Sequence, residues 1–280
     1  MKIILILLAT IPALAHASCV QKYHIVDGHK VYHEVCTLET QVRLVEPKAV
    51  PIVLPTHVPA VKVKAPQADG MTLPPNAVPY MQLLKDSIAN LWPDMPMRSF
   101  FGAMIEQETC ASLTGSACWN PHTELHTSRE WGAGLGQLTI AYNTDGSVRF
   151  DAMKELVAKH KELSGWTWND RFNVEMQLKA IVIKNKVNWS LIKYQVADFD
   201  NRMAFLAVMY NSGSPVLDIR LCKTIPGCKP DTWWSNVELH SVKSQFKAPG
   251  YGQSFFEISR VYPKNVVMVR RTKYVPYLDM

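Results

Sequence analysis

The sequence predicts a mainly α domain, preceded by a small disulfide-stapled β-hairpin and a Pro-rich linker. Three observations carry that expectation. From Tyr80 onward, several segments place apolar residues at helical spacing and few alternate like strands. Asp27-Gly28 sits between two alternating runs, the signature of a two-residue hairpin turn. Pro47, Pro51, Pro55 and Pro59 recur at every fourth position, followed by Pro66, Pro74, Pro75 and Pro79, a pattern that continues neither a helix nor a central strand.

The chain begins with Met1-Lys2, then IILILLATIPALA, then small residues at Ala15 and Ala17. A positive start, a short apolar core and small residues read as a secretory signal over 1–17. The apolar run is short for a membrane span, and an uncleaved anchor is the competing reading. The chain is therefore expected to be exported, and periplasmic or envelope-associated after signal cleavage. Of the 280 residues, 48% are hydrophobic and 19% charged, which fits a globular chain and excludes a disordered one. The net charge of +6 suits an anionic envelope surface. It comes without a long Lys/Arg run, so nucleic acid is not an expected partner. All six cysteines follow the signal, and an even number in an exported chain points to disulfides.

The first element is the hairpin at 18–45. With Asp27-Gly28 as the turn, Val26 faces His29, Tyr23 faces Tyr32 and Cys19 faces Cys36. The two cysteines fall on a non-hydrogen-bonded pair, where Cα atoms approach to about 4.5 Å, and a Cys19–Cys36 bridge is expected. His24, His29 and His33 share the hairpin but read as polar strand residues, and no metal or other cofactor is expected. Residues 46–78 form the linker, an extended and semi-rigid spacer. The main domain is placed at 79–280.

In that domain, helices are expected over 80–92, 98–113, 149–163, 171–189 and 201–213. The tail is less regular, with VVMV at 266–269 as a candidate strand. Cys110 and Cys118 flank the end of the second helix at a spacing suited to a bridge, and Cys222 and Cys228 suit another around Pro226-Gly227. A cysteine hydrolase using Cys110 with His122 or His126 is the alternative use of those residues.

The second helix raises the functional question. From Phe101, the residues Met104, Ile105 and Glu108 follow at i+3, i+4 and i+7, which is one face. Glu108 thus extends an apolar stripe, whereas Glu106 is expected to face water. Burial costs an ionised carboxylate several kcal/mol unless it is paired, raises its pKa and favours the protonated acid. A carboxylic acid still protonated near neutral pH suits general-acid cleavage of a glycosidic bond. Further on, Gly132, Gly134 and Gly136 allow close backbone approach to a ligand, and Gln137 offers a neutral donor and acceptor for sugar hydroxyls and N-acetyl groups.

Taken together, Gln107-Glu108-Thr109, then GLGQL at 134–138, then AVMYNSG at 207–213, resemble the three motifs of lytic transglycosylases of the soluble-lytic-transglycosylase type. The resemblance spans roughly 80–215 and implies a lysozyme-like catalytic domain. It implies a peptidoglycan-cleaving enzyme that yields 1,6-anhydro ends, with Glu108 as the single acid and then base. Gln137 would contact the glycan, and Tyr210 would hydrogen-bond and orient Glu108. Thr109, Gly134, Leu135 and Asn211 fall in the same motifs as substrate-binding positions. Thr109 replaces the usual serine, and Gly136 stands where the family has methionine. Peptidoglycan glycan strands would be the partner, with an envelope-spanning secretion, conjugation or phage assembly as the setting.

The glycine turn also resembles the Gly-Arg-Gly-x-x-Gln-Leu-Thr segment of family 19 chitinases and related phage endolysins, with Ala133 in place of their arginine. These are inverting hydrolases with two carboxylates, in which Glu130, or Glu124, would activate water beside Glu108. Trp131, next to the turn, has the best claim among the tryptophans to stack on a sugar ring. A non-enzymatic glycan-binding envelope module is the remaining reading.

Overall fold

In the computed structural model, residues 17–26, 29–38, 72–192, 196, 198–247 and 251–280 are described, with 17–38 described at the backbone. The chain divides into two units, Met1–His57 and Val58–Met280. In the first, strands β1 (Ala17–Val26) and β2 (His29–Leu38) pair antiparallel. Their register sets Cys19 against Cys36 and Tyr23 against Tyr32, as the Asp-Gly turn requires. The turn residues, the Cys19–Cys36 bridge, the signal segment and most of the linker lie outside the described residues and side chains.

The second unit is mainly helical, with one small antiparallel sheet. It begins earlier than expected. Residues at the end of the expected linker form a 3-10 turn, Pro75–Tyr80, with Leu73 and Ala77 in the core. Pro75 enters at the first position of this turn without loss, because that residue has no intrahelical acceptor for an N–H group; Pro79 lies inside it. Helix α1 (Met81–Leu91) follows, packing Leu84 and Ile88 inward.

Helix α2 (Ser99–Thr109) runs through the middle of the unit. Every residue from Ser99 to Glu106 is buried. A helix enclosed on all sides has no solvent stripe, so the apolar period says little about which side faces water. At its end, the Thr109 hydroxyl donates to the Ile105 carbonyl and accepts from the Trp119 amide. The Cys110–Cys118 disulfide closes the following loop.

A four-stranded sheet comes next: β3 (Glu124–His126), β4 (Glu130–Ala133), β5 (Leu138–Tyr142) and β6 (Val148–Asp151), in sequence order. The sequence reading missed it. Its strands are short, and the glycine turn lies between β4 and β5. Strand β6 also takes the first residues assigned to the third helix, so α3 spans only Ala152–Lys159, capped by the Asp151 carboxylate on the Lys154 amide. A second apolar cluster, with Leu138, Met153, Trp166 and Ile183, joins this sheet to α3 and to α4 (Val174–Ile192).

Helix α5 (Phe199–Ser212) is capped by Asp198 and ends at Gly213, whose φ of 76° lies in the left-handed region. Helix α6 (Val216–Lys223) leads into the Cys222–Cys228 disulfide. Helix α7 (Phe255–Lys264) opens on a capping box between Ser254 and Glu257. The VVMV segment is no strand: Asn265–Arg270 is a π-helical turn, followed by a 3-10 turn, Arg271–Tyr274, and the short α8 (Val275–Leu278). This C-terminal run packs along α2, so segments 164 residues apart in the chain, Glu106 and Arg270, share one core.

Candidate active site

A cleft of about 1140 Å³ opens at the C-terminal end of α2. One wall is the β-sheet, presenting Glu130, Gly132 and Thr139. The other comprises α4, through Lys184 and Asn188, and the end of α5, through Tyr210 and Asn211. Tyr251, Phe255 and Ile258 of the C-terminal region close one side.

Glu108 lies in this cleft, one residue before the helix ends. Burial pushes its carboxyl pKa up from 4.5 to about 7, against an opposing hydrogen bond from Tyr262 and the charge of Lys184; the charge of Glu130 adds to the rise. The Tyr262 hydroxyl donates to Glu108 Oε1 at 2.5 Å. That contact leaves Oε2 to carry the acidic proton. Near neutral pH, Glu108 is thus close to evenly divided between acid and carboxylate.

The role expected of Tyr210 belongs to Tyr262. The Tyr210 hydroxyl instead donates to the Gly136 carbonyl at 2.7 Å. Its short link to the glycine turn commits the only proton of the phenol. The same contact accounts for a glycine at position 136. A Cβ at Gly136 would lie 2.6 Å from Tyr210 Oη and 2.6 Å from Ile181 Cγ1, so no side chain fits. Tyr262 comes from the tail, and neither periodicity nor motif marked it. The one available signal was a tyrosine on the face of a Ser-x-x-Glu capped helix.

The glycine turn is built around Gln177 of α4. Its Oε1 accepts from the Leu135 amide at 2.9 Å, and its Nε2 donates to Pro121 O and Arg171 O. Gly134, at φ 75°, abuts the Gln177 amide and is buried, as is the fully enclosed Leu135. Both shape the turn and neither lines the cleft, contrary to expectation. Gln137 does line it, but its Nε2 is spent on Thr123 O and Gly134 O. Its amide therefore braces the turn. Thr109 also reaches the cleft, with its hydroxyl engaged at the helix end.

Strand alternation separates the remaining candidates. Glu130 and Gly132 share the cleft face of β4, and Trp131 takes the other. There Trp131 packs edge-on to Trp168 and near His126, and its Nε1 donates to Glu124 Oε1. Trp131 is therefore a sheet-packing residue, not a cleft-lining one. Glu124 sits on the same outer face, reaches the cleft's rim, and is ion-paired with Arg171 at 2.8 Å. That pairing removes it as a free base. Glu130 accepts a hydrogen bond from Tyr251, and partial burial raises its pKa against the nearby Arg129 and Arg149 charges.

Glu106 does not face water. It is 1% exposed, paired with Arg270 at 2.7 Å and Lys273 at 3.1 Å, and accepts from Tyr274 at 2.6 Å. Its partners all come from the C-terminal run. Arg270 also donates to Gln107 Oε1, which fixes the residue preceding Glu108. The two glutamates of one helix thus differ by surroundings: Glu106 meets two cations at ion-pairing distance, and Glu108 meets a phenol. The Cys110 disulfide leaves no thiolate for a cysteine hydrolase.

Two cleft residues hold buried polar atoms with no hydrogen-bond partner in the protein: Asn188 Nδ2, a donor, and Asn211 Oδ1, an acceptor. Among the described residues, no cluster of His, Cys, Asp and Glu is arranged to hold a metal, and no helix is long and apolar enough to cross a membrane. No protein-family model matches the chain, and the search of curated proteins finds no match.

Proposed function

We propose that this protein is an exported lytic transglycosylase acting on peptidoglycan glycan strands, with a lysozyme-like catalytic domain. The carrying observation is Glu108: a carboxyl whose pKa is pushed up to about 7 by burial, hydrogen-bonded by Tyr262, at the wall of a cleft of about 1140 Å³. Glu108 donates its proton to the oxygen joining N-acetylmuramic acid to N-acetylglucosamine, and the glycosidic bond breaks. The carboxylate then takes the proton of the C6 hydroxyl on the cationic sugar. That oxygen closes a 1,6-anhydro ring, so neither water nor a second carboxylate is consumed. A pKa near the working pH serves both steps.

Three further features support the reading. The unpaired Asn188 donor and Asn211 acceptor match the C=O and N–H of an acetamido group. The +6 net charge suits an anionic wall, and the disulfides fit an oxidising compartment. The reading is tested by analysing the ends released from purified peptidoglycan by the wild type and by Glu108→Gln. Anhydro ends lost in the variant support it.

A second reading rests on Glu130, which opens on the same cleft and whose charge reaches Glu108. An inverting hydrolase, muramidase or family 19 chitinase-like, would use Glu130 as base for water and produce reducing ends. The Tyr251 hydrogen bond holds one oxygen of Glu130 and leaves the other for such a base, so the chemistry of the released ends decides between the two readings.

A further inference from the structure

Lys184 projects from the middle of α4 into the cleft wall beside the acid. Its ammonium donates to the Tyr210 carbonyl at 3.3 Å and lies 3.9 Å from the centre of the Tyr210 ring. Among the described residues, no carboxylate oxygen comes within ion-pairing distance of it. Lys184 is half-buried, and an ammonium held at a cleft wall without a direct ion-pair partner acts at longer range on the charges that share the cleft. The charged and titratable groups around Glu108 are Tyr262 from α7, Tyr210 from α5, Lys184 from α4 and Glu130 from β4. Among the other cations lining the cleft, Arg270 from the π-helical turn is paired with Glu106, Arg129 and Arg149 act on Glu130, and Lys243 on Asp218, which leaves Lys184 as the cation acting on Glu108.

We propose that Lys184 is a positioning residue for Glu108, a fixed counter-charge that stabilises the carboxylate left when the proton has gone to the leaving oxygen. The mechanism above needs such a charge at one moment. Glu108 turns from neutral acid to anion while a cationic sugar forms nearby, and it must then hold that anion until the C6 hydroxyl closes. Tyr262 supplies one hydrogen bond to it; Glu130 opposes it by repulsion. Lys184 is held in place by the Tyr210 carbonyl and ring, so its charge is set before the reaction begins. The mutual influence is consistent: burial lowers the Lys184 pKa to about 8, and the Glu108 charge works against that fall.

The inference rests on the glycan-cleaving reading for its purpose, but its test needs no substrate. The Glu108 carboxyl is titrated by carbon NMR in the full chain, as wild type, Lys184→Met, Lys184→Gln and Lys184→Arg. Removing an opposite charge at this range is expected to raise the Glu108 midpoint by about one pH unit or more in the Met and Gln variants. Lys184→Arg keeps the charge and should stay near wild type. The basic limb of the pH–rate profile should move up with the midpoint, while the maximal rate falls about tenfold or more. A midpoint that stays put in both uncharged variants overturns the proposal, even if the rate falls, since a merely structural lysine would do that. Failure of the wild type to cleave any glycan would instead sink the functional reading and leave the titration result standing.

Discussion

Replacing Glu108 with Gln should make the protein more stable above neutral pH. The carboxyl goes from 4.5 when exposed to about 7 in the fold. A group whose folded pKa is raised contributes its full relative stability below the unfolded value and loses it as pH rises through the folded one. Here that window runs from 4.5 to about 7. Each unit is worth about 1.4 kcal/mol, which gives about 3.5 kcal/mol at most. The carboxyl keeps some contact with water in the cleft, and Lys184 loses a partner in the variant, so about 2 kcal/mol is the better expectation. Glutamine preserves the shape and still accepts from Tyr262. The assay is urea unfolding of both proteins at about pH 4 and about pH 8.5, with stability taken from midpoint and slope. Relative to wild type, Glu108→Gln should gain about 2 kcal/mol between the two conditions. The same difference at both pH values would refute the claim that Glu108 is held protonated by burial.

Three other outcomes follow from the geometry. Tyr262→Phe removes a donor that favours the carboxylate, so the basic limb of the kcat/KM profile should rise by about one pH unit, the order expected for a charge-assisted bond of about 1.5–3 kcal/mol; an unshifted limb would leave Tyr262 without its assigned part. Glu106→Gln leaves Arg270 and Lys273 buried without their anion and should cost about 3–5 kcal/mol in denaturant unfolding, opposite in sign to the neighbouring Glu108 change. Gly136→Ala drives a methyl against Ile181 and the Tyr210 hydroxyl; it should cost about 1–3 kcal/mol and weaken cleavage, and a variant of wild-type stability would contradict the close packing described.

Much of the architecture was legible where local chemistry dictates it. Asp27-Gly28 fixed the register that sets Cys19 against Cys36, because only one pairing satisfies a two-residue turn. The five helices from α1 to α5 stand where apolar residues recur, with α3 shorter at both ends than expected, and the short loops Cys110–Cys118 and Cys222–Cys228 are bridged. The sheet escaped notice because its strands are three to five residues long and one of its connections is a glycine turn folded around Gln177. Periodicity cannot see such strands; their identity depends on neighbours.

The candidate site was legible in part. Glu108 was marked by its place on an apolar face, and the structure holds it half-buried at the cleft wall. The same reasoning failed for Glu106, because the C-terminal run packs over the face of α2 that periodicity assigned to water. Which of them meets two close cations and which a tyrosine depends on Arg270, Lys273 and Tyr262, all more than a hundred residues away. Long-range partners leave no local signature. Lys184 was hidden for the same reason, being an ordinary lysine in a helix until α4 is laid beside α2 and α5.

The most direct test of the account is mass spectrometry of the sugars released from purified peptidoglycan by the purified protein. The account predicts fragments one water lighter than ordinary muropeptides, carrying 1,6-anhydro ends, and none from Glu108→Gln. Fragments with reducing ends, or release by Glu108→Gln at the wild-type rate, would contradict it.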